Sequence, residues 1–142
     1  MNNIFILTIT IIISGCTSTG TLKNSSYLKS QNKGQILTEN ASFLASINPL
    51  GQTLNLGIKS IGNNEFQKSI MSGYPTEVDT HSGTHKVTLV CYGVIDGIHF
   101  GDPDDLEVTI DVQAGQQYLL KPKLIGRYQC GADIEVITNK KS

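Results

Sequence analysis

Between Leu106 and Val112 apolar and polar side chains alternate without a break. Leu106, Val108, Ile110 and Val112 fall on one side, and Glu107, Thr109 and Asp111 on the other. Successive side chains of an extended strand point to opposite faces, so this order specifies a strand with one face on a core and one in water. The same period of two sets His85, Val87, Leu89 and Cys91 against Lys86, Thr88, Val90 and Tyr92. A helix would need apolar residues three and four apart, and past residue 37 that spacing is almost absent.

Further strands are expected on the same grounds. Ala41, Phe43, Ala45 and Ile47 share one face of a strand ended by Asn48-Pro49-Leu50-Gly51, and Leu54, Leu56 and Ile58 share a face of another ended by Gly62-Asn63-Asn64. Glu65 to Met71 is read as a short strand. Tyr74-Pro75 opens an edge strand that runs to Asp79, because proline is tolerated at the start of such a strand. His81-Ser82-Gly83-Thr84 is then a turn, and Asp96-Gly97 is the dipeptide of a type I′ hairpin. Ala114-Gly115 turns the chain into a strand from Tyr118 to Leu124. A loop from Gly126 to Asp133 carries Cys130 ahead of a last strand, Ile134 to Thr138. Seven or so short strands separated by turn signals predict an all-β sandwich of the immunoglobulin-like or transthyretin-like kind.

Size and charge bound the rest. A chain of 142 residues has room for one such domain and no second core. With 11 Lys+Arg against 12 Asp+Glu the formal net charge is -1, without the basic excess that a nucleic-acid groove requires. Nucleic acid is not an expected partner.

The N-terminal residues differ from everything that follows. MNNIFILTITIIISGC has a polar start, an apolar run from Ile4 to Ile13 interrupted by Thr8 and Thr10, and then small residues. This is the layout of a secretory signal. It is about half the ~20 apolar residues that a membrane-spanning helix needs. Ile13-Ser14-Gly15-Cys16 resembles the lipobox of bacterial lipoproteins, although Ile13 stands where Leu is commoner and no Lys or Arg precedes the apolar run. The resemblance implies that residues 1–15 are a signal peptide. It implies too that the Cys16 thiol takes a diacylglycerol thioether and that the protein is anchored to a membrane. Two or more acyl chains, at ~0.8 kcal/mol per buried methylene, hold a protein on a bilayer where one chain binds only marginally. Thr17 follows the cysteine where an Asp commonly retains Gram-negative lipoproteins at the inner membrane. The resemblance therefore implies the outer membrane, with the domain facing the periplasm or the cell surface.

Residues 16–37 are rich in Ser, Thr, Asn, Gln, Gly and Lys with scattered Leu22, Tyr27, Leu28 and Ile36, and read as a lipidated N-terminus followed by a flexible tether. Some 20 residues of flexible coil span about 25 Å root-mean-square. The folded domain is then expected over residues 38–142. With Cys16 assigned to lipid, Cys91 and Cys130 form an even pair, expected to be a disulfide in an oxidising compartment.

Ser82-Gly83-Thr84-His85-Lys86-Val87-Thr88-Leu89-Val90-Cys91, then Ala114-Gly115-Gln116-Gln117-Tyr118-Leu119-Leu120, then Cys130, is similar to small envelope lipoproteins with a PEGA-like sandwich. Ser82 replaces that group's usual proline. The resemblance bears on fold and leaves activity open.

No catalytic constellation stands out. His81 and His85 flank a turn and are not pre-aligned for zinc, and His99 has no partner in a recognisable nucleophile motif. Gly-rich phosphate motifs are absent, and no cofactor is expected. Asp96, Asp102, Asp104, Asp105, Glu107 and Asp111 lie between Val87 and Leu120, a stretch without Lys or Arg. They are expected to form a solvated acidic face that could dock a basic protein. Closely spaced carboxylates at Asp102, Asp104 and Asp105 can also bind Ca²⁺, but their spacing departs from the EF-hand pattern. The expected role is a non-enzymatic, lipid-anchored envelope module for protein interaction or structure. The alternative is an envelope inhibitor or ligand-binding module docking basic proteins through the acidic face.

Overall fold

The computed structural model describes residues 17–19, 21–41, 52–101, 104–127 and 129–137. Among them are ten strands and one short helix: β1 (Thr17–Thr19), α1 (Ser25–Ser30), β2 (Lys33–Ala41), β3 (Thr53–Ile61), β4 (Asn64–Glu65), β5 (Glu77–His81), β6 (Gly83–Ile95), β7 (Ile98–Gly101), β8 (Leu106–Val112), β9 (Gln117–Leu124) and β10 (Cys130–Ile137). One sheet has the order β1-β2-β9-β10, with β5 on the same β2 edge as β1; the other has the order β4-β3-β6-β7, with β8 also on β6. The two sheets pack face to face as an all-β sandwich.

The alternating segments behave as their pattern demands. Val87, Leu89, Cys91, Ile110 and Val112 are buried between the sheets, where they meet Ile36, Leu56, Ile58, Tyr118 and Leu120. Lys86, Glu107, Thr109 and Asp111 are exposed on the opposite side. Asp96 and Gly97 both have positive φ, 51° and 76°, as a type I′ turn requires, and Ile95 pairs with Ile98 across it. The strand opened near Tyr74-Pro75 is the edge strand β5, displaced to Glu77–His81. Ser82 bends the chain from β5 in the first sheet to β6 in the second.

The stretch read as a tether is part of the fold. Asn24 caps α1, its Oδ1 accepting from Ser26 N at 2.9 Å and Tyr27 N at 3.4 Å. Leu28 on that helix is fully buried, and α1 packs on β2. β2 itself is interior, antiparallel to β5 and parallel to β9. By strand parity Ile36 points between the sheets, while Gln35 and Leu37 point outward beneath the N-terminal segment. Both faces are covered, so Gln35, Ile36, Leu37 and Thr38 are all fully buried. The outward amides clamp the chain above them. Gln35 Nε2 donates to Thr21 O at 2.9 Å and its Oε1 accepts Lys23 N at 3.1 Å, while Gln117 Nε2 donates to Lys23 O at 2.8 Å. Residues 21–37 therefore belong to the sandwich, and the expected boundary at residue 38 cuts through β2.

Two other expectations change. Glu65 to Met71 is not a strand. β4 stops at Glu65, and Ser69 and Gly73 bridge a tight turn that leaves Ile70 and Met71 in solvent. Cys130 opens β10 rather than lying in a loop, because β10 pairs with β9 from Cys130↔Leu124 onward. The strand expected over Ala41 to Ile47 falls, except for Ala41, outside the described residues.

Three devices join the sheets. Cys91 on β6 and Cys130 on β10 form a disulfide between the sheets with a Cα–Cα distance of 6.3 Å. Asn40 on β2 makes two buried bonds to Leu56 on the edge of β3 away from β6, Oδ1 accepting from the backbone N at 2.7 Å and Nδ2 donating to the carbonyl at 3.2 Å. Tyr118 ties the β8–β9 corner, its hydroxyl donating to Asp111 O at 2.9 Å and accepting from Gln113 N at 3.0 Å. A tyrosine used this way at a sheet-to-sheet corner is a device of immunoglobulin-like sandwiches. Tyr118→Phe strips both bonds from a largely buried corner and is expected to cost about 1–3 kcal/mol in a urea titration. A change below about 0.3 kcal/mol, within the scatter of surface substitutions, would show that the corner does not depend on it.

Candidate functional site

The acidic residues do not form one face. Asp105 bonds Lys59 of β3 at 2.5 Å, and Glu107 pairs with Lys86 of β6 at 2.6 Å. The Lys59 ammonium is held above its ordinary pKa by its hydrogen bond to Asp105. Asp111 accepts from Thr84 Oγ1 at 3.3 Å. Asp96 sits at the far hairpin, whereas Asp111 lies opposite Thr84 near the start of β6. The twelve residues of β6 and its turn between those levels amount to about 40 Å of strand. Asp104 and Asp105 line a shallow hollow with Leu106, Ile125, Gln129 and Cys130; Asp102 lies outside the described residues. Lys59 and Lys86 themselves lie outside the interval Val87 to Leu120, Lys86 by a single residue. A count along that interval therefore missed cations that the sheet places beside the acids.

The His85 ring lies 2.8 Å from the backbone carbonyl of His81 rather than facing its ring, and His99 is on β7. Among the described residues no group of three or more His, Cys, Asp or Glu is arranged to hold a metal ion.

A different surface has the shape of a contact site. On the outer face of the second sheet Tyr92 forms a ridge between two hollows. One, of about 460 Å³, is lined by Thr53, Asn55, Val94, His99 and Phe100. The other, of about 450 Å³, is lined by Lys68, Ser72, Tyr74 and Val90. Partial burial pushes the Tyr92 phenol above its ordinary pKa. Close backbone approach shapes the floor. A Cβ on Gly93 would lie 1.9 Å from Thr53 O, and one on Gly57 would lie 2.7 Å from Tyr74 Cβ. Beside the second hollow the turn at Ser69–Gly73 presents Ile70 and Met71, which are fully exposed. Apolar side chains in that state beside an aromatic hollow mark a surface suited to macromolecular contact. The sequence concealed this surface because Ile70 and Met71 read as strand residues and Tyr92 as the solvent side of β6.

The described helix is not long and apolar enough to cross a membrane. No family model, no curated protein and no solved structure matches the chain.

Proposed function

We propose that this is a non-enzymatic, lipid-anchored protein of the cell envelope, held through Cys16 and carrying the disulfide-closed sandwich as an interaction or structural module. The observation that carries the reading is the Cys91–Cys130 bond. Structural disulfides belong to oxidising compartments, and this pair accounts for two of three cysteines. The third, Cys16, stands at the end of the Ile4 to Ile13 run behind Ser14-Gly15. Export and lipidation explain both facts together. Thr17 favours the outer membrane by the lipoprotein resemblance, and the PEGA-like likeness rests on the residues quoted for it.

The Tyr92 hollows with Ile70 and Met71 are the better candidate for the contact surface of such a module. The alternative, docking of basic proteins through Asp96, Asp102, Asp104, Asp105, Glu107 and Asp111, has less support because Lys59 and Lys86 already neutralise two of those acids.

Cys16→Ala expressed in a Gram-negative host is expected to abolish incorporation of a fatty-acid probe and to move the protein from the membrane pellet to the soluble fraction. Label retained at the wild-type level overturns the anchor.

A further inference from the structure

We propose, resting on the lipid-anchor reading, that the sandwich stands directly against the bilayer with a defined end toward the lipid. The chain is bonded into the fold from the first residue after Cys16. Thr17, Ser18 and Thr19 pair with Ala41, Asn40 and Glu39 of β2. The Thr21 N–H is then taken by the Glu77 carboxylate, and Lys23 is held by Gln35 and Gln117. A free tether of some 20 residues would place the domain about 25 Å from its anchor. Pairing from Thr17 leaves one Cα step, about 3.8 Å, between Cys16 and the sheet.

The direction follows from the strand register. The anchor is at the Ala41 end of β2. Ala41 lines one hollow together with Thr53 and Pro122, so the start of β3 and the end of β9 lie at that same end. Thr53 is opposite Val94, and the Asp96–Gly97 hairpin projects beyond it. β9 runs parallel to β2, so the turn after Leu124 projects the same way. At these two turns stand Ile98, the first residue of β7, and Ile125, which are 55% and 63% exposed. An apolar side chain held at a membrane interface gains by burial in the headgroup and acyl boundary. The other end carries the turns at Gly62–Asn63, Ser82 and Gly115 and faces away from the lipid. The Tyr92 hollows then lie on a side wall close to the membrane.

The chain has no Trp, so one introduced Trp reports its own position. Full-length processed protein, lipidated in the host, is reconstituted into phosphatidylethanolamine/phosphatidylglycerol vesicles with brominated acyl chains. Ile98→Trp and Ile125→Trp are expected to be quenched several-fold more than Asn63→Trp at the opposite end. A Gly/Ser insertion of the length of the supposed tether, placed between Cys16 and Thr17, is expected to bring quenching at Ile98→Trp down to the Asn63→Trp level while the protein still floats with vesicles. Equal quenching at all three positions in floating protein overturns the orientation and leaves the anchor standing. Flotation of Cys16→Ala equal to wild type overturns the anchor, and the orientation with it.

Discussion

Replacing Cys91 and Cys130 together by Ala is expected to lower the unfolding free energy by about 4 kcal/mol. The bond joins residues 39 apart in sequence, and closing a loop of that length removes about 4 kcal/mol of conformational freedom from the unfolded chain in the chain-entropy model. The effect is large because a small domain has only about 5–15 kcal/mol of stability in all. The location reinforces the connectivity. Cys91 is buried among Leu56, Val87 and Leu89 on one sheet, and Cys130 is buried on the other, so the covalent bond resists separation of the two layers. A disulfide between paired neighbours on one hairpin would close a short loop and would leave the sheets free to part. Urea titrations of the wild type, of the wild type with reductant and of the double variant are the measurement. The last two are expected to share a midpoint well below the first. Coincident midpoints for all three would show that the disulfide adds nothing to the joint between the sheets.

The contrast between legible and concealed elements has a physical cause. β6 and β8 were legible because each has one core face and one wet face, which writes a period of two into the sequence. The Asp96-Gly97 turn was legible because positive φ at both positions selects those residue types. The pairing of Cys91 with Cys130 followed once Cys16 was set aside. β2 was concealed because neither face is wet. Gln35 and Thr38 are buried there beside Ile36 and Leu37, and buried amides that bond to the segment above them look, in one dimension, like the polar residues of a linker. At β3 the register shifts between Ile58 and Ser60. That bulge admits Lys59 as an extra residue and returns Ile61 to the core, out of phase with Leu56 and Ile58. The acidic cluster was misread for a related reason. The residues that neutralise Asp105 and Glu107 are neighbours across the sheet and distant in sequence, and so are the residues that line the hollows around Tyr92.

The second large effect falls on the segment whose composition reads as linker. Leu28→Ala is expected to destabilise the protein by about 2–5 kcal/mol, the cost of emptying a fully buried leucine site. A leucine in a solvated tether would change stability by no more than about 0.5 kcal/mol on the same substitution. Deleting residues 21–32 goes further. It removes α1 and the Thr21–Lys23 strap together, opens the outer face of β2 and β9 at Leu37 and Leu119, and removes the bonds that Gln35 and Gln117 make to Thr21 and Lys23. The amides can be rehydrated, but the apolar surface cannot be hidden again. The deleted chain is therefore expected to unfold well below the wild-type temperature and to bind a hydrophobic dye before it does so. Leu28→Ala supplies a graded version of the same experiment should the deletion prevent folding. Thermal unfolding followed by circular dichroism separates the cases: unchanged midpoints for both variants would return this segment to the role of a tether, and would also remove the short rigid connection that sets the sandwich against the membrane.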